Sequence, residues 1–335
     1  MREPSFWWRD PGLTAAFFSP LAAIYGAVAA GRLNRPGTSV AVPVICVGNF
    51  TLGGAGKTPA AIAVARMLID AGERPFFLSR GYGGSQAGPL AVDAATHTAR
   101  DVGDEALLLA RSAPTIVSRG RVAGAHAAIE RGASAIVMDD GMQNPSLAKD
   151  LTIAVIDGRR GIGNGRVFPA GPLRAPLAAQ MDRINALLIV GPAPGGAGVT
   201  AAAAARSLPV FYGRLVPDPG AIAALKNRKV LAFAGIGDPR KFFETIQEAG
   251  IEVPLRKTFP DHHAFTAEEA AALVMQAEHE GLSLLTTEKD HARMGGDPAL
   301  TALCARAHTL PVNIDIGERD GLRRLVVAAA RKQPR

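Results

Sequence analysis

Residues 43–68 read PVICVGNFTLGGAGKTPAAIAVARML, and the order of residue types along them decides the architecture. An apolar strand, Val42 to Val47, runs into a turn with glycines at 53, 54 and 56, then Lys57-Thr58, then an alanine-rich segment with helical spacing. Glycine tolerates the backbone angles that curl a loop until its N–H groups face inward. The positive end of the following helix dipole adds to that field. Such a nest holds polyphosphate. The expected nucleotide loop is therefore Thr51, Leu52, Gly53, Gly54, Ala55, Gly56, Lys57 and Thr58. Lys57 would reach the β- and γ-phosphates of ATP, and the Thr58 hydroxyl would be a ligand of the Mg²⁺ that travels with them. Pro59 falls in the first helical turn, where proline is tolerated. One position departs from the G-x4-G-K-[ST] pattern, with Thr51 standing where the first glycine belongs.

Composition sets the outer limits. A chain of 335 residues that is 48% hydrophobic and 20% charged can bury a large core, and its length suits about two domains. A formal net charge of +7 and a pI near 9.8 favour anionic partners, whether nucleic acid, phospholipid headgroups or phosphorylated substrates. Aromatic residues make up only 5%, and no Lys/Arg run interleaves with Phe or Tyr, which argues against a nucleic-acid surface. Cys46 and Cys304 are too few for a disulfide framework or a metal cluster and read as core residues of a reducing compartment.

The N-terminal segment is unlike the rest. From Pro11 to Gly31 no residue is charged; Phe6-Trp7-Trp8-Arg9 precedes this run, and Arg32 and Arg35 follow it. As a helix it would be about 30 Å long, close to the hydrocarbon thickness of a bilayer. Pro11, Pro20, Gly12, Gly26 and several alanines keep it only moderately apolar, and a Trp pair beside arginines suits the headgroup layer. The expectation is a helix lying at an anionic membrane surface, ahead of a true span, a buried helix or a signal peptide. Ala27-Val28-Ala29 imitates a cleavage site, but the leader carries no net positive excess in its side chains and a loop that needs cytosolic ATP follows.

Further motifs follow in order. After the helix from 59 to 71 and a strand at 76–80 comes SRGYGG, residues 79–84, a glycine-rich loop at a strand end, where open α/β sheets bind ligands. In VGDEALLLAR, residues 102–111, Asp104 opens an apolar helix. Two readings are open there, an N-cap and a general base for an attacking hydroxyl, and the base would need a tuning partner. AIVMDDGMQN, residues 135–144, is an apolar strand ending in Asp139-Asp140, as a Walker B element requires if a carboxylate is to meet the Mg²⁺ held by Thr58. GRRGIGNGRVFPAGPLRAP, residues 158–176, sets Arg159, Arg160, Arg166 and Arg174 among glycine and proline, suiting a loop that closes over phosphate groups.

Taken together, these motifs resemble the tetraacyldisaccharide 4′-kinases of lipid A synthesis. The resemblance rests on VGNFTLGGAGKTP (47–59), SRGYGG (79–84), VGDEALLLA (102–110), MDDGMQNPSLAKDL (138–151), GNGRVFPAGPLR (163–174), FPDHHAFT (259–266) and LTTEKDHARM (285–294), and spans nearly the whole chain. It implies transfer of the γ-phosphate of ATP to the 4′-hydroxyl of a tetraacylated glucosamine disaccharide 1-phosphate, giving lipid IVA, at the cytoplasmic face of a bacterial inner membrane. It places the base on Asp104 and its tuning partner on His262, with Lys57 as the third catalytic residue and Thr58, Asp139 and Asp140 around the metal. Arg80, Tyr82, Glu105, Arg119, Asn144 and Arg174 are the candidate substrate residues. A hydroxyl residue at position 51 is ordinary in this family. Asn144 stands where members often have histidine, and Ala175 where many have glutamate. Asn144 cannot carry a proton at neutral pH and is expected to position only.

The expected architecture is α/β and P-loop NTPase-like. A membrane-associating segment would cover residues 1–35, and a mostly parallel sheet with helices on both faces 36–215. PAPGGAGVTAAAAA, residues 192–205, would be a linker or exposed loop, and a smaller α/β lobe over 225–335 would bring His262 to the cleft. A monomer is favoured. The reading that competes with the lipid kinase is a P-loop NTPase switch or metallochaperone-like assembly factor. Against it, TEKD at 287–290 lacks the spacing of the guanine-reading N-K-x-D signature and no metal-ligand cluster is evident. An ATP-binding scaffold without turnover would have no use for Asp104 and His262.

Overall fold

A computed structural model describes residues 3–332. Its strands are β1 (Val44–Gly48), β2 (Pro75–Ser79), β3 (Leu90–Ala91), β4 (Thr115–Val117), β5 (Ala135–Asp139), β6 (Leu151–Asp157), β7 (Ala186–Val190), β8 (Val210–Pro217), β9 (Lys229–Ala234), β10 (Glu252–Thr258), β11 (Ser283–Thr286), β12 (His308–Thr309) and β13 (Val312–Ile316). They form a nine-stranded sheet in the order β13-β8-β7-β6-β1-β5-β2-β4-β3 and a four-stranded sheet in the order β10-β9-β11-β12. Among the described residues only the β13/β8 and β3/β4 pairs are antiparallel, so the large sheet is mostly parallel, as the sequence predicts.

Both faces of the large sheet are covered, which is why its central strands read as unbroken apolar runs rather than alternating ones. Ile45 and Val47 of β1 point to one side, with Val64 and Leu68 of the helix Lys57–Ile69 and with Leu109. Val44 and Cys46 point to the other, toward Ala125 of the helix Arg121–Glu130 and Met181. The helix Lys57–Ile69 closes with Gly72 at φ +86°, and the Glu73 N–H returns to the Leu68 carbonyl. The smaller sheet is likewise packed on both faces, through Leu231 and Phe233 on one side and Val230, Ala232 and Ala234 on the other.

Two parts differ from the sequence reading. Residues 197–204 form a helix that buries Val199 and Ala203 against Ile189 and Leu187, where a linker was expected. Alanine has the highest helix propensity of all residues, and two buried contacts anchor the turn pair that the flanking glycines leave unspecified. The end of the chain also departs from a lobe running to 335. β13 crosses back to pair antiparallel with β8, and the helix Arg319–Ala330 buries Leu322 and Val326 in the same core as Val64 and Leu68. The large sheet covers the apolar face of that helix.

The consequence for function lies in where strands end. The loops leaving β1, β2, β4, β5 and β6 at their carboxyl ends share one edge of the large sheet. The loops leaving β9, β10 and β11 come to the same edge from the second sheet.

Candidate active site

The loop after β1 takes the shape its glycines allow. Gly53 and Gly56 have φ of +98° and +86°, a region that costs other residues strain. The Gly53 carbonyl accepts from Asn49 Nδ2 at 3.3 Å and Lys57 Nζ at 3.5 Å, which folds the lysine back over the loop. On its outer side the loop is braced by the second glycine-rich segment: the Leu52 N–H donates to the Pro172 carbonyl at 2.8 Å, and the Arg174 N–H to the Phe50 carbonyl at 2.8 Å. Glu3 also reaches this loop. Its Oε1 lies 2.1 Å from where a Cβ on Gly53 would sit, while Oε2 accepts from Trp8 Nε1 at 3.1 Å and Arg160 Nη1 at 2.7 Å. Burial raises the Glu3 carboxyl above its usual range against the opposing pull of Arg160. The sequence carried no signal for that contact.

The Asp139-Asp140 pair divides its work. The Thr58 hydroxyl donates to Asp139 Oδ2 at 3.0 Å, and Asp139 Oδ1 is buried with no hydrogen-bond partner among the described residues. Burial first, and the Glu105 charge next, push this carboxyl up to about 7. A buried carboxylate oxygen left open beside a hydroxyl is a donor set that fits a hard divalent cation, so Thr58 and Asp139 pass that test for Mg²⁺. Asp140, at φ +56°, is engaged differently. Arg174 holds it with a fork, Nη1 to Oδ1 at 2.9 Å and Nη2 to Oδ2 at 3.1 Å, while Lys57 Nζ lies 3.6 Å away. Burial would raise the Asp140 carboxyl, but Lys57 and Arg174 outweigh it and hold it below its usual range. Arg174 Nε also donates to the Thr51 carbonyl at 2.9 Å, tying the phosphate loop to the strand tip.

Asp104 is buried, and the geometry removes its N-cap reading. Gly103, at φ +86°, holds the cap position of the helix Asp104–Ala110, and Asp104 Oδ1 accepts only the neighbouring Glu105 N–H at 2.9 Å. Among the described residues its Oδ2 has no hydrogen bond, although the Arg293 guanidinium faces it with Nη1 at 3.2 Å, outside hydrogen-bonding alignment, and the His262 ring faces it with Nδ1 at 3.9 Å. The tuning pair implied by the resemblance is thus adjacent but not bonded. His262, at φ +55°, is fixed through its N–H to the Gly235 carbonyl at 3.1 Å. Its ring meets Tyr82 with centroids 5.1 Å apart, so side chains from the two sheets face each other at the mouth.

The helix Glu288–Met294 contributes residues that the sequence reading missed. Lys289 Nζ donates to Glu105 Oε1 at 2.6 Å, and Arg293 pairs with Asp104. Lys289 is the main reason the Glu105 carboxyl lies below its usual range. Burial opposes the charge on Lys289, but Glu105 and then Asp104 outweigh it and push the ammonium up to about 12. Between the two cations, Ala292 is buried with Val102, Ala106 and Leu107, so the helix seats itself against Asp104–Ala110. The available signal was the LTTEKDHARM stretch, whose Thr287 caps the helix through the Asp290 N–H.

Other candidates are less engaged. Arg80 and Arg119 lie exposed at the ends of β2 and β4, and among the described residues their side chains make no hydrogen bond or ion pair. Tyr82 is exposed at the mouth. Asn144 turns away: its Oδ1 accepts from the Ser146 N–H at 2.9 Å and the Ser146 hydroxyl at 2.6 Å, closing a local turn.

Comparison with known proteins gives consistent relatives. The family model described as tetraacyldisaccharide-1-P 4′-kinase matches residues 14–331. The chain is 57% identical over 312 residues to the tetraacyldisaccharide 4′-kinase of Methylobacterium sp. (strain 4-46), covering 93% of this chain and 94% of that one. It is 52% identical over 328 residues to the enzyme of the same name from Rhodopseudomonas palustris (strain BisA53), with 98% and 96% covered. Among solved structures, LpxK from Aquifex aeolicus in complex with ATP superposes with a TM-score of 0.73 at 25% identity, covering 95% of this chain and all of that one.

Proposed function

The chain belongs to the tetraacyldisaccharide-1-P 4′-kinase family, and from that premise we propose that it transfers the γ-phosphate of ATP to the 4′-hydroxyl of tetraacyldisaccharide 1-phosphate, forming lipid IVA. The observation that carries this reading is the convergence of a phosphate loop, an open buried carboxylate and a second carboxylate with a free oxygen at one sheet edge. A nucleotide switch needs the first two and has no use for the third, so the assembly-factor reading is not favoured.

In this reading the loop N–H groups and Lys57 bind the β- and γ-phosphates, and Lys57 moves charge toward the oxygens that gain it. Thr58 and Asp139 would hold Mg²⁺, which when bound would neutralise further charge on the phosphate oxygens. The geometry favours Asp139 over Asp140 as the direct ligand, because both oxygens of Asp140 are taken by Arg174. Asp104 Oδ2 accepts the proton of the sugar hydroxyl as its oxygen bonds to the γ-phosphorus, and the β–γ bridging oxygen leaves on ADP. His262 and Tyr82 border the acceptor side, with Arg80 and Arg119 free to meet the substrate phosphate.

The helix Leu13–Leu33 gives the lipid a place to be met. It turns small residues, Ala15, Ala22 and Gly26, to the protein, where Gly26 lies near Pro176 and Val167. Leu13, Phe17, Leu21, Ile24 and Val28 form an exposed stripe at helical spacing on the far side. That stripe lies in the cytoplasmic leaflet of the inner membrane, beside the anionic headgroups that a basic protein attracts.

The test follows radiolabel from the γ-phosphate of MgATP onto tetraacyldisaccharide 1-phosphate in detergent micelles. Labelled bisphosphorylated lipid supports the reading. Steady ATP hydrolysis with no labelled lipid would move the switch reading to the front.

A further inference from the structure

We propose that Arg293 is a positioning residue for the phosphoryl-transfer base: its guanidinium, fixed within the second lobe, sets the orientation in which Asp104 Oδ2 receives the hydroxyl proton. The inference rests on Asp104 acting as that base.

Arg293 is not free to swing. Its side chain is 10% exposed. Nη2 donates to the Gly235 carbonyl at 2.9 Å and to Asp290 Oδ1, and Nη1 faces Asp104 Oδ2. Asp290 is in turn fully buried and fixed, accepting the Gly235 N–H at 3.1 Å and the Thr287 hydroxyl at 2.6 Å. The guanidinium therefore sits in a frame built by the ends of β9 and β11, and that frame presents one planar nitrogen to Asp104.

Asp104 needs such a reference. A carboxylate rotates about its last bond unless both oxygens are placed. Oδ1 has one backbone N–H, and Oδ2 has no hydrogen bond among the described residues. Arg293 at 3.2 Å holds Oδ2 electrostatically while its misaligned N–H leaves a lone pair for the substrate hydroxyl. His262, at 3.9 Å and partly exposed, cannot hold it as closely. Displacement of a reacting group by about 1 Å costs about a hundredfold in rate, which sets the size of effect a positioning residue should have. Lysine cannot replace the fork, because it offers a single point charge to two carboxylates.

The test uses the full chain in detergent micelles with MgATP and tetraacyldisaccharide 1-phosphate, comparing wild type with Arg293→Met, Arg293→Lys and Asp104→Ala. Arg293→Met should lower kcat about a hundredfold, with KM for both substrates within about threefold of wild type and binding of a fluorescent ATP analogue retained. Arg293→Lys should recover about tenfold of that loss. Wild-type kcat in Arg293→Met overturns the proposal, as does loss of nucleotide binding and melting temperature in parallel with kcat, the pattern of a purely structural ion pair. Should Arg293→Met melt below the assay temperature, Arg293→Lys decides: kcat down about tenfold at unchanged KM supports positioning, and wild-type kcat overturns it. Substantial activity in Asp104→Ala would remove the base reading itself, whereas an inactive Asp104→Ala beside a fully active Arg293→Met would remove this inference alone.

Discussion

At the scale of single residues, Asp139 keeps a buried carboxylate oxygen open in a condition that a bound cation would relieve. Asp139 is buried, is paired with Thr58 through one oxygen, and has nothing on the other. Asp139→Asn is therefore expected to raise the thermal stability of the metal-free protein by about 1 kcal/mol while lowering kinase activity about a hundredfold or more, since the amide removes both the buried charge and the anionic ligand. Scanning calorimetry in a chelator, set beside the activity assay, checks both halves; a variant less stable and fully active would contradict the account. Lys57, Thr58 and Asp139 were legible in the sequence because a phosphate loop and a strand-tip carboxylate are local patterns with fixed neighbours. Lys289 and Arg293 were not, because their partners Glu105 and Asp104 lie more than 180 residues earlier and only the packed fold joins them. Asn144 is engaged locally instead. Its position within a motif suggested a substrate contact, but a short polar side chain next to Ser146 found a local turn first.

At the scale of elements, loops interlock where the chain has no room for side chains. Gly103 has φ +86° and ψ 149°, and a Cβ there would lie 2.4 Å from the Tyr82 carbonyl oxygen. Gly103→Ala should destabilise the protein by about 2 kcal/mol through backbone strain and should displace Asp104, so that activity falls further than stability explains. Urea denaturation together with kcat measured well below the unfolding midpoint separates the two effects. The N-terminal helix supports a second expectation. Phe17→Glu with Ile24→Glu places charge on the exposed stripe, away from the face that packs on the protein, and should release the enzyme from anionic vesicles with no loss of thermal stability. Retention on vesicles would assign membrane attachment to another surface. The extent of this helix was readable because no charged residue falls between Pro11 and Gly31, whereas the alanine-rich helix 197–204 was not, since glycine and alanine together look like a linker until two residues find a core.

At the scale of the whole molecule, two sheets bring their carboxyl ends to one cleft, and the chain binds them together by returning. β13 and the helix Arg319–Ala330 close the large sheet after the small one is complete, so the second lobe is an insertion whose two connections both begin near β8. The order of motifs revealed a nucleotide-binding sheet and a second lobe. It did not reveal the return, because an antiparallel edge strand carries no signature of which sheet it joins. In this arrangement nucleotide chemistry belongs to the first lobe, and the acceptor hydroxyl is met where Asp104 faces residues of the second. That division of labour is tested by single-turnover transfer from MgATP to tetraacyldisaccharide 1-phosphate by Asp104→Ala beside nucleotide binding by the same variant. ATP affinity should stay within about threefold of wild type while transfer slows by about a hundredfold or more; transfer at wild-type rate, or loss of ATP binding together with transfer, would contradict that division.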